Sequence, residues 1–168
     1  VLWKPSEKTP LTALATQALF EQALAGYVAD GHAAPEGLSQ VLIGGASVGD
    51  HDLVGRVAKD LGLDAAFWKI AMRPGKPLMH ARHGAMHVLG LPGNPVSSLV
   101  CAHLFLLPLI ARLSGAEHKF PIVRANLGTA MRENDKRQDY VRAETIEGAD
   151  GKRTATPFAV QDSSMLSV

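Results

Sequence analysis

Val88-Leu-Gly-Leu-Pro-Gly-Asn-Pro-Val-Ser-Ser98 reads as the end of a buried strand, a tight turn and the first turn of a helix. Met86 to Leu91 is an apolar run of strand length. Pro92-Gly93 is a turn dipeptide, and Gly93 can take φ > 0 without the clash that a Cβ brings. Asn94 suits an N-cap, and Pro95 at the first helical position gives up only an N–H that would be orphaned anyway. The amides around Val96, Ser97 and Ser98 then face whatever lies beyond the strand's carboxyl end, a geometry that favours an anion. The alternative is an ordinary β-to-α connection with good turn chemistry.

Two further strand-to-loop junctions flank this one. Ile43-Gly44-Gly45-Ala46-Ser47-Val48-Gly49-Asp50-His51-Asp52 is a strand running into a glycine-rich loop, with Leu53, Val54, Val57 and Leu61 marking a following helix. The glycines let the backbone approach a ligand, and Asp50 and Asp52 are the carboxylates a Mg²⁺ bridging phosphate oxygens would use. Either aspartate could instead cap the helix. Phe67 to Met72 reads as a strand entering the turn Arg73-Pro74-Gly75-Lys76-Pro77. A strand would set Lys69 and Arg73 on one face, with Lys76 following in the turn, and three cations suit an oxyanion or phosphate. A solvated basic edge is the competing reading. In an open parallel sheet the loops after Ile43, Met72 and Leu91 converge at one carboxyl edge, where ligands bind.

Composition sets the frame. At 168 residues the chain holds one good core, or one domain with an appendage. Hydrophobic residues make up 46% and charged residues 20%, which describes a globular chain. A net charge of +1 gives no footprint for nucleic acid or an anionic membrane. Cys101 is the single cysteine, which excludes an internal disulfide framework and fits a reducing compartment. It falls in the apolar stretch Leu99 to Ala111, too short by itself to span a bilayer, where an inert structural thiol is expected. The opening Val1-Leu-Trp-Lys-Pro has the character neither of a signal peptide nor of a natural start.

Towards the amino end, Thr9 caps a helix with Pro10 in its first turn. Leu11, Leu14, Ala15, Ala18 and Leu19 form its apolar face until Gln22. A loop from Gly31 to Gly37 leads to a strand from Leu38 to Ile43, completing a right-handed β-α-β unit. Lys4-Pro5-Ser6-Glu7 with Thr9-Pro10-Leu11, and then Ala34-Pro35-Glu36-Gly37-Leu38, resembles the adenosine-binding element of the NAD-dependent aldehyde dehydrogenases. That resemblance implies NAD ribose contacts at Lys4 and Glu7. It ends near residue 45, and that family's nucleophilic cysteine and general-base glutamate have no counterparts.

From Gly44 onward the chain resembles the molybdopterin molybdenumtransferases, the family that includes the C-terminal domain of gephyrin. The carriers are Gly44 to Asp52, Met72-Arg73-Pro74-Gly75-Lys76-Pro77 and Gly90 to Ser97, in order and at family spacing. The likeness continues through Asn134 to Arg142 and Gln161 to Leu166. It implies insertion of molybdenum from molybdate into adenylylated molybdopterin with release of AMP, Mg²⁺ as helper and a homodimer. By position it gives Asp52 an essential, metal-holding role and sets Lys69, Arg73 and Lys76 along the molybdate and phosphate site. Lys69 and Lys76 join Asp52 as the catalytic candidates. Gly44, Gly45, Ser47, Asp50, Pro92, Gly93, Asn94, Pro95 and Ser97 line the substrate, and Arg142 and Ser163 fall near residues aimed at molybdate.

From Phe120 the character changes. Ile122 to Leu127, Tyr140 to Ile146 and Arg153 to Phe158 read as short strands, with Gly148-Ala-Asp-Gly151 as a hairpin turn. This fits the family's small C-terminal β-barrel, lacking its closing strands and leaving an open edge.

The chain therefore reads as a hybrid, with an aldehyde-dehydrogenase-like β-α-β unit over 1–45. The second half of a molybdopterin-binding α/β domain follows over 46–117, then a truncated β domain over 118–168. The expected fold is α/β, a three-layer parallel sheet with helices on both faces, followed by an incomplete β-barrel. The expected function is molybdenum insertion, impaired in a fragment, in the cytoplasm and without nucleic-acid or membrane partners. A non-catalytic NAD- or nucleotide-binding module and a scaffold are the alternatives.

Overall fold

The computed structural model describes residues 18, 21–23, 25–32, 40–43, 60 and 62–163. Its centre is a four-stranded sheet in the order β1 (Gln40–Ile43), β5 (Met86–Leu91), β4 (Met79–His83), β2 (Asp64–Trp68). The expected all-parallel sheet is corrected to a mixed one. β1 and β5 run parallel, but β4 is antiparallel to both β5 and β2. The cause is local: β4 and β5 are joined by the two-residue connection Gly84-Ala85, with Gly84 at φ 58, and so short a connection permits only a hairpin. Because β4 opposes both neighbours, β1, β2 and β5 still point the same way. Their carboxyl ends, Ile43, Trp68 and Leu91, share one edge.

The strand expected to run from Phe67 to Met72 stops at Trp68. Lys69 adopts a left-handed φ of 70, which turns the chain out of the sheet, and its N–H donates to the Leu78 carbonyl. Met72–Arg73 forms a separate short strand, β3, paired in parallel with β7 (Gln138–Asp139). Lys69 and Arg73 therefore do not share the face of one strand.

After the turn at Pro92, Pro95–Leu113 is one continuous helical run of 19 residues, α1. Its middle, Ala102–Leu106, is π-helical, and the Leu107 N–H reaches back to the Ala102 carbonyl. Pro108 has no N–H and its ring crowds the turn before it, which the wider π turn accommodates. This run exceeds the expected core stretch, and by length and composition alone it would cross a membrane. Half of it is buried in the domain, with Ser98, Cys101, Ala102, Leu106 and Ile110 fully covered. It ends at Gly115 (φ 74), where the Gly115 and Ala116 amides return to Arg112 and Ala111.

The two sheet faces carry separate clusters. Leu89 and Leu91 pack with Met72, Leu78 and α1, against which Ala23 and Tyr27 also lie. Met79, Ala81 and Val88 form the other cluster, with Leu63, Trp68 and Met86 around it. Both described helical segments thus serve one cluster. The helix expected to cover the other face falls outside the described residues except for Asp60, which is helical. The first helix continues beyond Gln22 to residue 29 and closes at Gly31 (φ 86), where the expected loop begins.

Past α1, three strands make a second sheet in the order β6 (Asn126–Leu127), β9 (Arg153–Pro157), β8 (Ala143–Glu147). Of the strand expected at Ile122 to Leu127, only the last two residues find a partner; Ile122 and Val123 stand exposed. The Gly148–Gly151 hairpin forms as expected between β8 and β9. Among the described residues this sheet stays at three strands.

Candidate functional site

The edge shared by Ile43, Trp68 and Leu91 gathers the loops that carry the motifs. Met79 is the register partner of both Trp68 and Gly90, so the two loops beyond them leave the sheet about 10 Å apart, two strand spacings. The first loop is folded on itself. Ile70 donates to the Lys76 carbonyl at 2.9 Å and Leu78 to the Gly75 carbonyl at 3.0 Å. Lys69 and Lys76 therefore project from one compact loop, and both are exposed. The Arg73–Pro74 peptide bond within it is cis.

Arg73 is not a solitary cation. Its guanidinium pairs with the Asp139 carboxylate, directly opposite in the β3–β7 pair. Asp139 was not singled out in the sequence, because a partner 66 residues away leaves no local mark. Its nearest signal is its place between Arg137 and Arg142 in the motif-like stretch Asn134 to Arg142.

At the second loop Pro92, Pro95 and Ser97 are buried, Gly93 is partly covered and Asn94 is exposed. Asn94 occupies the N-cap position, with extended backbone at φ −72, ψ 133, and Ser98 N donates to its carbonyl at 2.8 Å. Its side chain makes no capping bond, a correction to the expected role. Asn94 Nδ2 instead donates to Ser163 Oγ at 3.0 Å. The Val96 amide, expected to face an anion, donates to the Ser163 carbonyl at 3.0 Å. Part of the helix start is thus satisfied by the chain itself.

Arg142 holds that segment in place. Its Nη2 donates to the carbonyls of Val160 and Asp162, while Gln161 exchanges hydrogen bonds with both the N–H and the carbonyl of Arg142. Tyr140 N donates to the Arg73 carbonyl, which joins this clasp to the first loop. Arg73, Arg142, Ser163, Asn94 and Pro95 are thereby linked round the edge. In the structure the Arg142 guanidinium clamps the 160–162 backbone. The arrangement leaves two exposed lysines and a half-exposed arginine beside a helix start, which suits the oxygens of an anion.

Gly44, Gly45, Ser47, Asp50 and Asp52 lie outside the described residues, as do Lys4 and Glu7. Among the described residues no group of three His, Cys, Asp or Glu side chains could hold a metal ion. Cys101 is fully buried and desolvation pushes its thiol up to about 12, so it is structural, as expected.

The family model of the "probable molybdopterin binding domain" matches residues 38–112, which hold all four strands of the central sheet together with the first eighteen residues of α1. A molybdopterin molybdenumtransferase of Haemophilus influenzae is 46% identical over 72 residues, covering 43% of this chain and 18% of that protein. One from Bacillus subtilis is 34% identical over 128 residues, covering 75% and 29%. The crystal structure of a molybdopterin biosynthesis MoeA protein from Pyrococcus horikosii superposes with a TM-score of 0.56 at 30% identity, over 71% of this chain and 27% of that one. The chain thus spans less than a third of the length of these relatives. Residues 38–112 are thus similar to a molybdopterin-binding domain, and the chain resembles molybdopterin molybdenumtransferases over part of their length.

Proposed function

We propose that this chain serves molybdenum cofactor biosynthesis as part of a molybdopterin molybdenumtransferase, with the carboxyl edge of its central sheet binding molybdate and the phosphate of adenylylated molybdopterin. The observation that carries this is the clasp from Arg73 through Arg142 and Ser163 to the start of α1, which draws separately encoded motifs round one edge beside Lys69 and Lys76. Lys69 and Lys76 attract and orient the oxyanion, and the buried turn Pro92 to Pro95 shapes the wall beside it. Mg²⁺ would be held by Asp50 and Asp52, which lie outside the described residues, and would neutralise phosphate charge. A homodimer and a cytoplasmic setting belong to the same proposal. The NAD alternative rests on Lys4 and Glu7 alone.

Calorimetric titration of molybdate into the chain and into Lys69→Ala and Lys76→Ala tests the site. Each variant is expected to bind about tenfold more weakly, the loss of one charged contact. Unchanged affinity in both would remove the site.

A further inference from the structure

Asp139 stands opposite Arg73 in the β3–β7 pair and takes its guanidinium through Oδ2. The partners differ in freedom: the Asp139 side chain is 8% exposed and that of Arg73 53%. The backbone on both sides is pinned, with Gln138 N donating to the Ala71 carbonyl and Tyr140 N to the Arg73 carbonyl. The carboxylate is therefore the fixed member and the long, rotamer-rich arginine is the member being held. Asp139 Oδ1, although buried, accepts no hydrogen bond. A carboxylate half satisfied out of water is not what stability alone would select, since the desolvation of that oxygen goes uncompensated.

We infer that Asp139 is a positioning residue: it holds the Arg73 guanidinium at the rim of the sheet edge, so that the remaining N–H donors meet an incoming oxyanion without first being ordered. The inference rests on the anion-binding reading above and adds a residue to it. Asp139 does not touch the anion. Its own negative charge sits behind Arg73, and Lys69 and Lys76 keep the rim cationic. Holding the fork in advance removes part of the ordering cost of binding, the usual gain from preorganisation.

Molybdate, and separately inorganic phosphate, are titrated calorimetrically into the full chain, Asp139→Asn, Arg73→Ala and the double variant, each checked by thermal melting. Asn keeps the shape and removes the charge that holds the guanidinium. Asp139→Asn is expected to bind about tenfold more weakly, close to Arg73→Ala. The double variant should be no weaker than Arg73→Ala alone, because both changes act through one guanidinium. Parental affinity in a folded Asp139→Asn makes the residue purely structural, and tighter binding makes it a competitor for Arg73; either result overturns the inference. Should Asp139→Asn fail to fold, Arg73→Lys decides instead, since Lys keeps the charge but not the fork. A tenfold loss supports positioning and parental affinity contradicts it. If Arg73→Ala and Lys76→Ala both bind as the parent does, the anion edge itself fails, a pattern distinct from an inert Asp139.

Discussion

Gly75 shows how tightly the first loop is seated. It holds φ at 113, and a Cβ placed there would lie 2.7 Å from Cys101 Sγ and 2.8 Å from Met72 Cε. The glycine thus meets both a backbone demand and a close approach to α1, while the Cys101 thiol faces its carbonyl at 3.9 Å. Gly75→Ala is expected to lower stability by about 2–4 kcal/mol, combining left-handed strain with overpacking, as read from urea unfolding midpoints. A loss below about 0.5 kcal/mol would contradict this packing. The turn itself was legible from Pro74-Gly75 and Pro77. The left-handed Lys69 that ends β2 was not, because a lysine carries no local signal for φ > 0.

At the scale of the element, β4 is the strand that the sequence conceals. Met79 and Ala81 are buried while His80 is partly covered and Arg82 and His83 are exposed, so the segment lacks the apolar run that marks β5. Its best signal was Gly84, and without β4 the remaining strands read naturally as a parallel sheet. β4 also brings His80 Nε2 within 3.0 Å of His87 Nδ1 on β5, with the Phe67 ring 5.7 Å from that of His80. Burial, then His87 and Arg82, lower the His80 pKa below 6.5. The folded state thus binds fewer protons here than the unfolded one, so this contribution is intact above pH 6.5 and is lost as pH falls through the folded pKa. Melting temperatures measured from pH 7.5 downward are expected to fall below about 6.5 and to fall less steeply in His80→Gln. Equal slopes would show that the pair carries none of the dependence.

Over the whole molecule, the parts that local chemistry encodes were legible and the parts that depend on distant partners were not. The strand-turn-helix at Val88 to Ser98 and the β8–β9 hairpin follow from neighbours in sequence. The contacts of Asn94 with Ser163, 69 residues on, and of Arg73 with Asp139 in the β3–β7 pair are set only when the chain beyond α1 returns to the sheet edge. They convert an open helix start into one clasped by its own chain, and they make the edge a joint product of segments distant in sequence. The central claim is that this edge is the anion site. Titration of ¹⁵N-labelled chain with molybdate and then AMP, followed by amide chemical shifts, tests it most directly. The account predicts saturable shifts confined to residues 44–52, 69–76, 92–98, 139–142 and 160–163. Shifts scattered over other surfaces, or none at saturating ligand, would contradict it.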